Sequence, residues 1–135
     1  MREISPVLPS HRELFAQAVF RGEPFPSDWT SDFAIITAHD PEGVVAPPAA
    51  NLRADAQLEA ELMAAGYRLH RITGGSSDGA HQEPGWAVPI GIAEAVGYGR
   101  KYRQLAVFYV NSGRLSLVDC ETGVAEDLRR AFVLN

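Results

Sequence analysis

Apolar positions in this chain fall into two patterns, stripes at helical spacing and short solid runs, and their succession predicts its elements. Ser10-His11-Arg12-Glu13 has the S-x-x-E form of a capping box, and Leu14, Phe15, Ala18 and Val19 follow at helical intervals. A helix is predicted over 10–20, closed by Gly22, Pro24 and Pro26. Phe33-Ala34-Ile35-Ile36-Thr37 is a solid apolar run bounded by polar residues, the pattern of a strand buried on both faces. Ala38-His39-Asp40-Pro41-Glu42-Gly43 reads as a turn. A second helix is predicted from Asn51 to Ala65, with Gly66 as its stop. Leu58 and Leu62 lie seven and eleven positions after Asn51, so the three share a face. Asn51 therefore either caps this helix or points inward beside the core.

Tyr67 to Ile72 reads as a strand, Gly74 to Gly79 as a soft loop, and Trp86 to Ile90 as a further strand. Ile92, Ala95, Val96, Gly99 and Tyr102 fit another amphipathic helix. Gly97 and Gly99 should each weaken it by about 1 kcal/mol relative to Ala. Gly99 falls on the apolar stripe, where close approach to a sheet is a reason to have it. Gln104 to Val110 and Leu115 to Val118 read as two strands joined through Asn111-Ser112-Gly113, a hairpin signal. A last short helix is predicted over Val124 to Phe132. This order, α-β-α-β-β-α-β-β-α, implies an α/β (α+β) fold: a single-domain sandwich, residues 1–135, with a mixed, largely antiparallel sheet flanked by helices around a core at 33–118. Many unrelated activities share that class.

Composition narrows the partners. The chain has 135 residues, 46% hydrophobic and 21% charged, as an ordinary globular domain does. Its net charge of −5 argues against a nucleic-acid partner held through phosphates, and Arg100-Lys101-Tyr102-Arg103 is too spread around a helix to make one basic face. A single cysteine, Cys120, excludes an internal disulfide and the cysteine-rich zinc frameworks. It follows the apolar run 115–118 and reads as a buried structural thiol. No segment has signal-peptide or membrane-span character, so a soluble, cytoplasmic protein is expected, with no membrane partner.

The candidate chemistry gathers around two stretches. His39 and Asp40 end the strand at 33–37, where ligands often bind in α/β sheets. His81 and Glu83 stand two apart and point to one side if the backbone is extended there. Together these four have donor types suited to a divalent metal, but no metal motif spaces them, and no metal or cofactor is expected. His81 and Asp78 read more simply as solvated loop residues. Glu83 precedes Pro84, which biases it toward extended backbone; it could accept hydrogen bonds from a ligand, act as a general base, or pair with Arg68, Arg71 or Arg103. Gly74-Gly75-Ser76-Ser77-Asp78-Gly79 has no Lys and no following helix, so it is not a phosphate loop but a hairpin connection. Ser76 and Ser77 lack the arrangement of a serine hydrolase. Gln104, at the mouth of an apolar strand, must find partners in backbone or ligand.

The segments Phe33–Pro41, Asn51-Leu52-Arg53 with Leu58 and Leu62, Gly66-Tyr67, Glu83-Pro84 and Gly99–Ala106 together resemble a bacterial family of uncharacterised proteins, domain of unknown function 3293. That family carries an I-T-A-x-N-P turn, an Asn opening a helix, a Glu-Pro-Ser step and a late Gln followed by Ala. The likeness spans about residues 33 to 118. It singles out Thr37, Asn51, Glu83 and Gln104 as matching positions, and it implies a bacterial source and a single domain but no reaction. Asp40 stands where the family usually has Asn, and Gly85 where it usually has Ser; a hydroxyl serving a ligand there would be lost.

Two functional readings follow, and whether the chain is an enzyme stays open between them. In the first, Thr37, His39, Asn51, Arg53, His81, Glu83 and Gln104 serve a binding module for a small polar molecule or a protein segment, because Asn and Gln offer both donors and acceptors. In the second, a small hydrolase uses Glu83 or His39 as general base, with Asn51 or Arg53 steadying developing charge. A third has the same residues only tying loops together.

Overall fold

The computed structural model describes residues 9–135 and places in them three α-helices and seven strands. In chain order these are α1 (Pro9–Ala16), β1 (Val19–Arg21), β2 (Phe33–Ile36), a 3₁₀ turn (Pro41–Gly43), α2 (Pro48–Ala64), β3 (His70–Gly75), β4 (Gln82–Val88), α3 (Ile92–Lys101), β5 (Ala106–Asn111), β6 (Arg114–Asp119) and β7 (Ala125–Ala131). The strands form one curled sheet in the order β1-β3-β4-β2-β5-β6-β7, and every ladder is antiparallel. The class is α+β.

All four residues of β2 are buried, because the strand is central and both sheet faces are covered. Ala34 and Ile36 face Leu58 and Leu62 of α2 and Ala95 and Val96 of α3. Phe33 and Ile35 face the opposite way, into a cluster with Phe20, Ile72 and Leu115 that Phe25, Trp29, Phe108 and Phe132 complete. Aromatic edges meet faces there: Phe20 and Phe108 lie 5.0 Å apart at 87°, and Phe33 and Phe132 5.5 Å apart at 88°. The curl brings the two sheet edges together. Leu134 bridges Phe20 in parallel, and the Asn135 N–H donates to the Phe20 carbonyl at 2.8 Å.

Several expectations need correction. The first helix stops at Ala16, and Val19 and Phe20, assigned above to its end, belong instead to the edge strand Val19–Arg21 on β3. It begins at Pro9, and the capping-box reading of Ser10 lies outside the residues whose side chains are described. The segment expected as a last helix, 124–132, is mostly the strand β7. Its Ala, Glu, Leu and Arg favour a helix locally, but pairing covers the open edge of β6, and tertiary context overrides such a weak preference. The sheet is not mixed; Phe20 with Leu134, outside the ladders, is the parallel pairing among the described residues. Helices α2 and α3 share one face, so the other face of the sandwich is an aromatic cluster, which α1 meets through Phe15 against Phe108. Gly99 does mark a close approach: a Cβ there would meet the Cys120 Sγ at 2.5 Å. No helix among the described residues is long and apolar enough to cross a membrane.

Candidate functional site

Where β2 ends, the backbone leaves the sheet through a turn fastened on three sides. Thr37 donates its hydroxyl to the Pro84 carbonyl at 2.8 Å and accepts the His39 N–H at 3.1 Å, stapling the strand end to β4. Asn51 lies inside the first turn of α2, not at its cap, which Pro47 occupies. Its Oδ1 accepts the Asp40 N–H at 2.9 Å and its Nδ2 donates to Asp40 Oδ1 at 2.8 Å. The same Oδ1 of Asp40 accepts the Ala46 N–H at 3.0 Å. From the third side, Gln104 donates Nε2 to the His39 carbonyl at 3.0 Å. These bonds hold two non-glycine residues in the left-handed region, Asp40 at φ 48° and Glu42 at φ 60°. Such conformations cost about 1–3 kcal/mol each and persist where surroundings over-determine them.

The ionisable groups at this turn are tuned by burial. Burial lowers the His39 imidazole below its usual value, favouring the neutral ring, against the pull of Asp55 and Asp40. Its Nε2 is buried and, among the described residues, has no hydrogen-bond partner. For Asp40, burial acts upward, but the Ala46 N–H and the Asn51 amide hold the carboxyl below the usual range. Glu83, on β4, has a side chain 24% exposed, and its Oε2 lies 3.0 Å from His81 Nε2. Burial raises the Glu83 carboxyl, the nearby charge of Asp40 adds to this, and His81 opposes both.

The predicted residues thus divide. Thr37, His39, Asn51 and Gln104 meet at one turn, and Glu83 with His81 stands close enough for Asp40 to act on it. Arg53 lies on the exposed side of α2 and, among the described residues, has no hydrogen bond or ion pair. None of the arginines considered for Glu83 pairs with it: Arg68 goes to Asp28, Arg71 to Asp55 and Arg103 to Glu42. Each of those partners lies on a different element, so spacing along the chain carries no sign of them.

Sequence reasoning missed a second layer behind the turn. Asp55, only 7% exposed, takes two hydrogen bonds from Arg71 at 2.8 and 2.9 Å. The Arg71 guanidinium lies 4.3 Å from the centre of the Trp86 ring. A signal existed: Asp55 is a charge on the stripe that Asn51, Leu58 and Leu62 define, and a buried charge demands a partner.

The loop between β3 and β4 is closed by its own bonds. Ser76 Oγ donates to Asp78 Oδ1 at 2.7 Å and accepts the His81 N–H at 3.0 Å. Gly85 has a steric reason, since a Cβ there would stand 2.6 Å from the Ile36 carbonyl oxygen. Strands β2 and β4 are too close at that point to accommodate a serine side chain without moving apart. Cys120 is buried, and burial together with Asp119 pushes its thiol up to about 12, which suits packing and not nucleophilic attack. Among the described residues no group of three His, Cys, Asp or Glu side chains is placed to hold a metal ion.

A family model described as "Protein of unknown function (DUF3293)" matches residues 36–107. The match covers just over half of the chain and contains all seven candidate residues, from Thr37 to Gln104. No curated protein and no solved structure matches the sequence.

Proposed function

The chain belongs to the DUF3293 family of proteins of unknown function, and we propose that it is a binding module whose rim at the end of β2 receives a small polar molecule. One observation carries the reading: His39 Nε2 is buried without a partner among the described residues, in a turn whose backbone is otherwise clamped by Thr37 and Gln104. An unpaired buried polar atom costs free energy that a ligand group could recover. Fixed backbone and fixed amide side chains also lower the ordering cost of binding, which favours recognition. Asp40 adds a charged acceptor that acts on that ring, and Glu83, paired with His81, stands within electrostatic reach of Asp40.

A thermal-shift screen of polar metabolites tests this, since a ligand of the folded state raises the melting temperature by mass action. The expected result is a hit whose effect disappears in His39→Ala and in Glu83→Gln, while both variants remain folded. The reading is refuted if no compound shifts the wild-type transition, or if both variants respond as the wild type does.

A second reading, a small hydrolase, draws on the opposed tuning of Glu83 upward and His39 downward. Burial moves the carboxyl toward the range useful for proton transfer at neutral pH and favours the neutral imidazole, the form that can accept a proton. It requires turnover of an ester, amide or phosphoester that Glu83→Gln abolishes while binding survives.

A further inference from the structure

The C-terminal end of α3 opens onto a shallow cleft of about 370 Å³, lined by Arg100, Arg103, Gln104 and Leu105 together with the carboxylate-bearing Glu42 and Glu121. Arg100 is anchored through Nε to the Cys120 carbonyl and through Nη2 to the Glu121 carbonyl, leaving Nη1 without a partner among the described residues. Arg103 gives Nε and Nη2 to Glu42 Oε2, at 3.1 and 2.7 Å, and its Nη1 is likewise unspent. The backbone that carries this second guanidinium is held in place. Arg103 stands at φ 58° where helices commonly end on glycine, and its carbonyl accepts the Glu42 N–H at 2.7 Å.

We propose that this cleft binds an anionic oxygen group, a carboxylate or a phosphate, through Arg100 and Arg103. Two guanidinium groups lining one cleft offer paired donors that suit planar or tetrahedral oxyanions. The carboxylate now on Arg103 belongs to a solvent-exposed pair, 65% and 56% exposed, of the kind that contributes little and exchanges readily. A ligand oxyanion can therefore take the place of Glu42 on Arg103, in a cleft that Arg100 also lines. Leu105, beside them, suits a short apolar chain on that ligand. The chain as a whole carries −5 and the cleft also holds Glu42 and Glu121, so an anion is held here by direct hydrogen bonds from the guanidinium groups and not by net charge. The cleft shares Glu42 and Gln104 with the turn at residues 37–51, but the inference rests on Arg100 and Arg103, which lie outside that turn.

Titration of the ¹⁵N-labelled full chain with inorganic phosphate, and separately with butyrate, tests it by NMR. Saturable shifts confined to the amides of Glu42, Arg103, Gln104, Leu105 and Glu121 are expected with at least one of the two. Phosphate alone would assign the cleft to phosphorylated ligands, and butyrate alone to carboxylates. Arg103→Gln should weaken binding about ten-fold, the loss of a charged hydrogen bond, with part restored in Arg103→Lys. Arg68→Gln, an exposed arginine paired elsewhere, should leave it unchanged. The proposal is overturned if neither anion gives saturable shifts at millimolar concentration. It is equally overturned if Arg68→Gln weakens binding as much as Arg103→Gln, or if Arg103→Gln and Arg100→Gln both bind undiminished.

Discussion

Replacing Asn51 by alanine probes how the turn after β2 is held. The substitution removes two part-buried hydrogen bonds, one to the Asp40 N–H and one to the Asp40 carboxylate. A neutral bond of this kind contributes about 1 kcal/mol and one to a charged group about 1.5 kcal/mol. Alanine recovers about 0.5 kcal/mol through better helix propensity, since position 51 lies within α2. The net loss should be about 2 kcal/mol, or about 8 °C in melting temperature for a domain of this size. Urea unfolding should show a lower midpoint with an unchanged slope, as the surface exposed on unfolding stays the same. Amide exchange should report a local loss of protection at Asp40, larger than at residues of β5. A loss below about 0.5 kcal/mol, with Asp40 still protected, would show that Thr37 and Gln104 hold the turn without Asn51.

Three further outcomes are expected. Gly99→Ala should destabilise by about 1–2 kcal/mol despite favouring the helix, because the new Cβ would crowd Cys120 Sγ and Val107 Cγ1, whereas Gly97→Ala, with nothing within 4 Å, should stabilise by up to about 1 kcal/mol; chemical denaturation of both variants checks the pair. Glu83→Gln should raise stability at neutral pH: with the folded-state value raised, the folded protein binds more protons than the unfolded chain between the two values, so wild-type stability falls as pH rises through that window, and the variant's advantage should vanish below the usual carboxylate range in a pH series of urea midpoints. Cys120 should resist a thiol reagent in native buffer and react fully in denaturant, and equal rates in both would contradict its burial.

Much of the fold is legible because its elements announce themselves locally. The solid run Phe33–Ile36 is a central strand, the stripe of Leu58 and Leu62 sits on α2, and Asn111-Ser112-Gly113 does turn β5 into β6, with Ser112 and Gly113 at positive φ. Edges are harder. Val19–Arg21 and Ala125–Ala131 become strands only through their neighbours β3 and β6, and nothing in their own composition carries that pairing. The site divides in the same way. Thr37, Asn51 and Gln104 stand out as polar residues at the ends of apolar elements, where a bonding partner is obligatory. Which partner each one takes depends on strand order, and strand order is absent from local pattern. That is why the charge of Asp55 on the apolar stripe did not name Arg71 as its partner, and why the arginines considered for Glu83 pair elsewhere.

The meeting of Phe20 with Leu134 gives the sheet a seam. The residues that close it are 114 positions apart, so chain entropy strongly opposes the contact, which is a single short bridge. Unzipping it leaves the α2 and α3 face intact but bares two strand edges and the aromatic interior at once. Partial opening and sticky self-association are thus coupled through Leu134, Asn135 and one short strand.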